Sequence, residues 1–513
     1  MSAPIPIVPF YSEHSARGHA YSALSAKQHL KVDVAVIGAG FTGLTAATEL
    51  CLAGKSVAVL DMTEIGGGES NLSTAQMTEL LDTRYHELVS KFGKTGAALA
   101  ARASRDSIDW AERHAASRKE CRFQRLPAFL FSEKREDEQE LDRECLAAIQ
   151  SGVHAQRVTT LPPQLKAISA MCVDNQAQID PRQYLHGLAR RLVEKAARIF
   201  EHTRIASIED GTPCTITTTN GAVVKAGDCI VATHTPICNM LFLHTKLAAY
   251  RTYVVAARFP EGGFPEGLYY DMNDPYHYIR TDTDKSGNLV LIVGGEDHKT
   301  GDDEDPEPRY RRLQQYVSER FGLRDFDFHW SGQVLKPIDG LPYIGRNSAS
   351  EHLYVGTGYN GNGTTFGTLA GMIITDLILG RSNPYSELFE ARRISPIAGA
   401  KDFIVENSDA LAHFIGDRLK SPAKSLDDVP AGEGRIVELD GTRAAVYRGE
   451  DGEMHAVSAV CTHVGCIVHW NNSEKTWDCP CHGARYSPTG KVINGPATKD
   501  LRALPVPHLA EKR

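Results

Sequence analysis

The sequence predicts an α/β nucleotide-binding sheet joined to an antiparallel sheet and followed by a small all-β module. Three observations carry this. Residues 32–61 spell a strand, a glycine turn, a helix, a second strand and an acid. Residues 245–335 hold several alternating, β-rich runs. Residues 426–513 are short strands and turns in which four of the eleven cysteines crowd together.

A chain of 513 residues fits two to four domains at ~100–200 residues each. Its 42% hydrophobic and 23% charged content is that of a soluble globular protein. A net charge of −8 gives no footing for nucleic-acid binding. No apolar stretch approaches the ~20 residues of a membrane span; Gly371 to Gly380 is short and carries Asp376. The N-terminus lacks a basic-then-apolar signal pattern, so the expectation is a cytoplasmic protein with no transmembrane segment. Cysteines 51, 121, 145, 172, 214, 229 and 238 are scattered. They read as small buried residues of a reducing compartment.

Residues 1–31, Pro- and Ser-rich, read as an extended lead-in. Val32 to Gly38 is a short apolar run, the pattern of a buried parallel strand. Gly38-Ala39-Gly40-Phe41-Thr42-Gly43 follows, then a helix with Leu44, Ala47, Leu50 and Cys51 on one face, stopped at Gly54. A second strand, Val57 to Leu60, ends in Asp61. Gly38 permits the tight turn, Gly40 lets backbone approach a pyrophosphate, and Gly43 lets helix pack on strand. The helix N-terminus offers N–H groups to phosphate, and Asp61 accepts from a ribose diol. An acid at 61 disfavours a 2′-phosphorylated nucleotide. The loop after it, with three glycines, Ser70, Ser73 and Thr74, continues around the same ligand.

Residues 80–150 read as charged, Ala-rich helices. Asp180-Pro181 opens another helix, with Leu185, Leu188 and Leu192 inward. GAVVKAGDCIVATHTP gives a strand, a turn at Gly227-Asp228 and a second strand ending at Thr233. The runs YRTYVVAARF, YHYIRTD and NLVLIVGG alternate as an antiparallel sheet should, forming the floor of a pocket. Gly340 to Arg346 and the strand LYVGT return the chain to the first sheet. Gly356, Gly358, Gly361 and Gly363 then precede a helix starting near Thr364, a second glycine-rich N-terminus. The expected boundaries are 32–385 for the two-sheet region, with nucleotide segments 32–80, 180–240 and 340–385 and substrate segments 81–179 and 241–339. A helical linker, 386–425, leads to the module at 426–513.

That module carries Cys461-Thr462-His463 and Cys479-Pro480-Cys481-His482, with fifteen residues between His463 and Cys479. Each half supplies one Cys and one His, whereas a zinc finger usually groups like with like. The arrangement suits a Rieske cluster, with two Cys on one iron and two His on the other; zinc is the alternative.

Residues 424–506 resemble Rieske [2Fe-2S] domains of the cytochrome bc type, where CTHxGC and CPCHGxxY recur. The resemblance implies that Cys461 and Cys479 ligate one iron and His463 and His482 the other. It also implies a Cys466–Cys481 disulfide, a hydrogen bond from Tyr486 to a ligand sulfur, and a covering loop at Gly495-Pro496. Ala484 stands where serine often donates to a bridging sulfide. With one donor fewer, the potential is expected below the top of the ~−150 to +300 mV Rieske range.

Residues 32–385 resemble the D-amino-acid oxidase superfamily of FAD-dependent oxidoreductases. The matching pieces are VIGAGFTG, AVLD, IGGGES, QIDPRQYLHGLA, DCIVATHTP and LYVGTGYNGNGTTFG. The resemblance implies a two-domain flavoprotein, a Rossmann-like FAD-binding sheet beside an antiparallel substrate sheet. Gly38, Gly40, Phe41, Thr42, Gly43 and Asp61 take the adenosine diphosphate half. Ser73 and Thr74 lie towards the flavin, Thr233 is a further cofactor-binding position, Ile205 offers backbone to adenine, and Gly361, Asn362, Gly363 and Thr364 meet the isoalloxazine edge.

The expected activity is a dehydrogenase that oxidises an amine or amino acid and sends electrons from FAD through the cluster to an external acceptor. Two rivals are an oxidase using dioxygen, with an auxiliary Rieske module, and a reductase feeding an oxygenase. The second wants a nicotinamide site, and one dinucleotide fingerprint is present. Tyr253, Tyr278 and Arg280 are candidate substrate contacts, Arg280 as a bidentate carboxylate clamp. His234 reads as a packed loop histidine. Exposed His463 and His482 would couple cluster reduction to proton uptake.

Overall fold

The computed structural model describes residues 9–15, 18–237, 241–260, 263–302, 305–394, 416, 423 and 425–506. They fall into two compact units. One gathers Met1–His234, Thr252–Asp297 and Arg309–Ala400; the other gathers Thr235–Arg251, His298–Pro308 and Lys401–Arg513. Two stretches expected with the flavoprotein region by sequence order therefore cluster with the C-terminal module. The expected linker, 386–425, lies outside the described residues from 395 onward, residues 416, 423 and 425 excepted.

In the first unit one sheet runs in the order Tyr343–Arg346, Leu353–Thr357, Val223–Val231, His29–Ile37, Val57–Leu60, Arg198–Phe200. His29–Ile37 pairs in parallel with both neighbours, and its Val34–Ile37 end is buried. An unbroken apolar run is what a strand covered on both faces needs. The helix Phe41–Leu52 presses on Gly363–Ile378 where Gly371 leaves room: a Cβ there would lie 2.5 Å from Thr45 Cβ.

The turn expected at Gly227-Asp228 is absent. Val223–Val231 is one continuous strand, and Gly227 sits where a Cβ would meet the Asp33 carbonyl oxygen at 3.0 Å. The glycine serves close backbone approach, not reversal. The region 80–150 is also not wholly helical. A strand, Gln124–Ser132, separates the helices Tyr85–His114 and Glu138–Gln150. Its Leu126, Ala128 and Leu130 are buried at strand spacing. The lead-in carries a short helix, Phe10–His14, anchored by buried Phe10 and Tyr11. Asp180 caps the helix Pro181–Glu194, accepting from the Gln183 N–H at 3.0 Å.

The second sheet follows the order Phe328–Pro337, Leu247–Arg258, Leu289–Lys299, His277–Thr283, Leu268–Asp271, Gln124–Ser132, Ser169–Gln178, Gln76–Met77. Alternation sends Tyr253, Val255, Ile279 and Val293 into a core with Tyr310 and Leu313, and Val254, Ala256 and Ile292 into another with Phe10 and Trp330. Among the described residues no helix is long and apolar enough to cross a membrane.

The second unit holds two small antiparallel sheets, Gly434–Leu439/Thr442–Arg448/Met454–Ser458 and His469–Asn471/Thr476–Asp478/Arg485–Tyr486/Val492–Asn494. Val468, Trp477 and Tyr486 centre its core. Beside them lies a buried charge network. Arg251 donates to both oxygens of Glu474 at 3.1 and 2.9 Å, and Arg485 donates to Glu474 and, at 3.0 Å, to Asp478. Burial alone pushes the Asp478 carboxyl up, but Arg485 and Arg251 outweigh it and hold the group below its ordinary 3.8. Its contribution to stability is therefore full above that pH and is lost as pH falls through the lower folded value.

Breaking a buried ion network strands the surviving charges. Glu474→Ala should thus cost about 3–5 kcal/mol, read as a lower midpoint in denaturant unfolding. Burial also raises the thiols of Cys121 and Cys214 to about 11 and Cys172 to about 12. At pH 7 these three should resist a thiol-reactive disulfide reagent in the native protein and react once unfolded. Cys145 and Cys229 are buried as well and Cys51 is half-buried, while Cys238 lies outside the described residues.

Candidate functional site

Gly38, at φ +105°, turns the chain out of its strand. A Cβ on Gly43 would lie 1.9 Å from the Gly38 carbonyl oxygen, and one on Gly40 would lie 2.7 Å from Ser70 Oγ. Gly38 and Gly43 demand glycine because backbone fills the space of a Cβ, while at Gly40 only the Ser70 hydroxyl approaches. Phe41 and Thr42 open the twelve-residue helix Phe41–Leu52, and Thr42 Oγ1 bonds Tyr359 Oη at 2.7 Å. Asp61 accepts from the Ala39 N–H at 2.7 Å and from the Thr63 N–H at 2.7 Å. The acid thus also fixes the turn, a task sequence reading did not assign it.

The other expected positions converge on this end of the sheet. Ser73 Oγ and Thr364 Oγ1 are 3.4 Å apart. Asn362 caps the helix Gly363–Ile378; its Oδ1 accepts from Asp82 N–H at 3.0 Å, and Gly361 N–H donates to Asp82 Oδ2 at 2.7 Å. Ala232 faces Gly38 and is followed by Thr233 and by His234, whose carbonyl accepts from Thr357 Oγ1 at 2.7 Å. Ile205 starts a side strand; just before it, Thr203 N–H donates to the Asp61 carbonyl at 2.7 Å. Thr74 offers its carbonyl to Arg280.

The three substrate candidates separate. Arg280 is fully buried, with its guanidinium held by the carbonyls of Thr74, Ala75 and Ile179 and by Asp282 at 2.6 Å. Those bonds tie the Ser73 loop, the strand end at Ile179 and the sheet together, and Asp282 also accepts from Tyr11 Oη of the lead-in at 3.1 Å, so the residue is a structural clamp and not a carboxylate fork. Tyr253 packs its ring 4.8 Å from Tyr310, on the opposite face from Tyr278, because neighbouring strand positions alternate. Tyr278 lies over Gly294, where a Cβ would sit 2.2 Å from its ring, and bonds Thr252 Oγ1 at 3.1 Å.

Two acids went unread in the sequence. Burial pushes up the Asp82 and Asp297 carboxyls; Lys336, 3.6 Å from Asp297, pulls back down. The signal for Asp297 is an acid ending an apolar strand run, NLVLIVGGED, where burial is due.

In the second unit, two loops bring Cys461, His463, Cys479 and His482 together. The His463 and His482 rings are 4.9 Å apart at 89°. Tyr486 Oη lies 3.1 Å from Cys461 Sγ and accepts from Thr462 N–H at 3.2 Å. The facing Cys479 thiol pulls Cys461 down towards thiolate, the form that binds metal. Burial lowers His463 and His482 to about 4, leaving neutral imidazoles. The Cys466 and Cys481 sulfurs are bonded, joining the loops. Cys466, Cys479 and Cys481 also group within 4.8 Å, but that bond removes two of them as ligands. The histidines are not the exposed pair expected. Both are half-buried, and the buried ring of His244 lies against them.

Residues 33–377 match the family of FAD dependent oxidoreductases, and residues 420–505 match the Rieske [2Fe-2S] domain. The chain belongs to the FAD dependent oxidoreductase family. It is 32% identical over 481 residues to the putative Rieske 2Fe-2S iron-sulfur protein YhfW of Bacillus subtilis (strain 168), covering 93% of this chain and 94% of that one. In fold it is similar to glycine oxidase from Geobacillus kaustophilus (TM-score 0.60, 17% identity, 71% of this chain and 100% of that one). It is likewise similar to L-proline dehydrogenase from P. horikoshii (TM-score 0.59, 18% identity, 71% and 98%). This flavoprotein uses FAD and a Rieske [2Fe-2S] cluster.

The residues present fit both groups. The glycine cradle at Gly38, Gly40 and Gly43 keeps backbone open where side chains would collide. The cluster loops offer two thiols and two imidazoles, and His482 Nδ1 is buried with no hydrogen bond among the described residues. A sulfur hydrogen bond worth about 1 kcal/mol more to the reduced cluster shifts a one-electron potential by roughly 40 mV. Tyr486→Phe should lower the potential by about that much, and Ala484→Ser should raise it, in EPR-monitored redox titrations.

Proposed function

We propose that this flavoprotein is a dehydrogenase that oxidises an amine or amino acid and passes the electrons one at a time through the cluster to an external carrier. When bound, FAD supplies two-electron, hydride-accepting chemistry, and the [2Fe-2S] cluster supplies one-electron storage. The observation that carries the reading is the path of the chain. Immediately after Thr233 and His234 it enters Thr235–Arg251, a segment that belongs to the unit holding the cluster loops.

Gly38, Gly40, Gly43 and the helix N-terminus hold the diphosphate, with Asp61 beside the ribose, and Gly361 to Thr364 address the ring edge. Cys461 and Cys479 hold one iron and His463 and His482 the other. Asp82 accepts from the Gly361 N–H, Asp297 lies within electrostatic reach of Asp82 with Lys336 3.6 Å from it, and Arg280 is committed elsewhere. Charge selection therefore favours an ammonium group over a free carboxylate. The acids bind and orient such a substrate, and the buried Tyr276 and Tyr278 lie within their electrostatic reach. That the fold is shared with proteins named glycine oxidase and L-proline dehydrogenase supports a nitrogen-containing substrate.

Anaerobic stopped-flow with a panel of amines and amino acids tests this. Flavin bleaching should come first and cluster reduction second, and air should reoxidise the enzyme slowly. Asp297→Asn should raise KM for the amine about tenfold, the worth of one hydrogen bond to a charged group. A reduced flavin beside a lastingly oxidised cluster, or fast reoxidation by air, defeats the dehydrogenase reading.

A further inference from the structure

Along a regular strand, side chains alternate between the two faces of the sheet. The strand Leu289–Lys299 keeps that rule as far as its glycines and then breaks it. Leu291 and Val293 enter the core shared with Tyr310, Leu313 and Tyr316 of the helix Glu307–Phe321. Val290 and Ile292 enter the opposite core, against which Tyr278 packs. The register pairs Ile279 with Val293, Tyr278 with Gly294 and His277 with Gly295. Continued alternation would send Glu296 to the Tyr278 face and Asp297 to the helix face.

The reverse is observed. Glu296 is buried on the helix face: Arg312 Nε, from that helix, donates to its Oε2 at 2.6 Å, and its Oε1 lies 3.9 Å from His277 Nε2. His277 stacks on Tyr316 with ring centroids 3.9 Å apart and bonds Asp271 through Nδ1 at 2.8 Å, which marks the same face. Asp297 goes the other way. Lys336 Nζ stands 3.6 Å from it, and burial, which pushes its carboxyl up, is opposed by Lys336 and by Thr252, the partner of Tyr278. Its side chain is 7% exposed, and among the described residues neither of its buried oxygens meets a donor at hydrogen-bond distance. A buried carboxylate left in that condition is available to a cation from outside the chain.

Two residues make the exchange. Gly295 has φ +147° and Glu296 φ +59°, so the strand twists over at this point as a β-bulge does, with a non-glycine residue in the left-handed region. A Cβ on Gly295 would lie 2.3 Å from the Tyr276 carbonyl oxygen, so glycine is required for the first half of the twist. Arg309 donates to the carbonyls of Glu296 at 3.2 Å and Asp297 at 3.4 Å, and Arg312 fixes the Glu296 side chain. Backbone in this region persists where surrounding contacts over-determine it. We propose that Glu296 is a positioning residue for the substrate ammonium: its left-handed backbone turns Asp297 onto the Tyr278 face, and Arg309 and Arg312 hold it there. This rests on the reading above of Asp297 as an acid that binds the amine.

The test uses the full chain loaded with both cofactors. Glu296→Val puts a β-branched residue where φ is positive, a conformation it resists, so regular alternation should return. In the crystal structure of this variant Asp297 should have left Lys336 for the helix face. Kinetics use whichever of a panel of primary and secondary alkylamines bleaches the flavin fastest without air. KM for that amine should rise about tenfold, as for loss of the Asp297 charge, with kcat changed less. Glu296→Gly, for which positive φ carries no steric cost, should bring KM back to within about threefold of wild type. In an Asp297→Asn background Glu296→Val should add nothing, because a residue that acts only through Asp297 has no second route. A merely structural role would multiply the two effects. Multiplied effects, or Asp297 still beside Lys336 in Glu296→Val, overturn the proposal. If no alkylamine bleaches the wild-type flavin, the amine reading has failed, and the crystal structure still decides whether Glu296 aims Asp297. If Glu296→Val does not fold, Glu296→Ala is read by the same measurements, and an unmoved Asp297 in it overturns the proposal.

Discussion

Two short loops must face each other before any metal can be held, and the second unit is organised around that constraint. Each loop alone offers one thiol and one imidazole. The Cys466–Cys481 bond joins the loops, and Tyr486 reaches Cys461 from the sheet behind them. The buried network of Arg251, Glu474, Arg485 and Asp478 fixes the strands that carry the second loop. Burial keeps both histidines neutral and hence able to ligate. Remove the facing arrangement and each of these features loses its purpose.

The flavin end obeys a different rule, which is exclusion of side chains. Gly38 and Gly43 are required because backbone carbonyl oxygens occupy the space that Cβ atoms would need. Asp61 then works inward as well as outward, fixing the turn through Ala39 and Thr63. The same economy recurs at Gly227 against Asp33 and at Gly371 against Thr45. Close approach of backbones, more than flexibility, explains these glycines.

What sequence reveals follows from how local the physics is. The glycine turn with its helix and acid, and the paired Cys/His loops, are set by residues a few positions apart, and both were legible. The Asp180 cap and the helix beginning near Thr364 were legible for the same reason. Gly227 misled, because a glycine that turns and a glycine that lets a neighbour approach look alike until the register is known. Tyr253 and Tyr278 seemed equivalent because their strand faces become distinguishable only when the sheet is assembled. Arg280 looked like a ligand clamp because its carbonyl partners lie roughly a hundred or more positions away and leave no mark in composition. His244 was invisible for that reason too: nothing near it in sequence announces a cluster.

The membership of Thr235–Arg251 and His298–Pro308 in the second unit has a consequence for how such a fusion is inherited. A module appended to a finished enzyme can be trimmed away or exchanged. One that has recruited loops from its host as part of its own body has surrendered that independence. Expressed from 426 onward, it would lack Arg251, one of the two arginines that answer Glu474, and the imidazole that sits on its ligands. Shuffling this domain into another protein would therefore require carrying along pieces of sequence more than a hundred residues upstream, and natural recombination at the linker alone would yield a crippled copy.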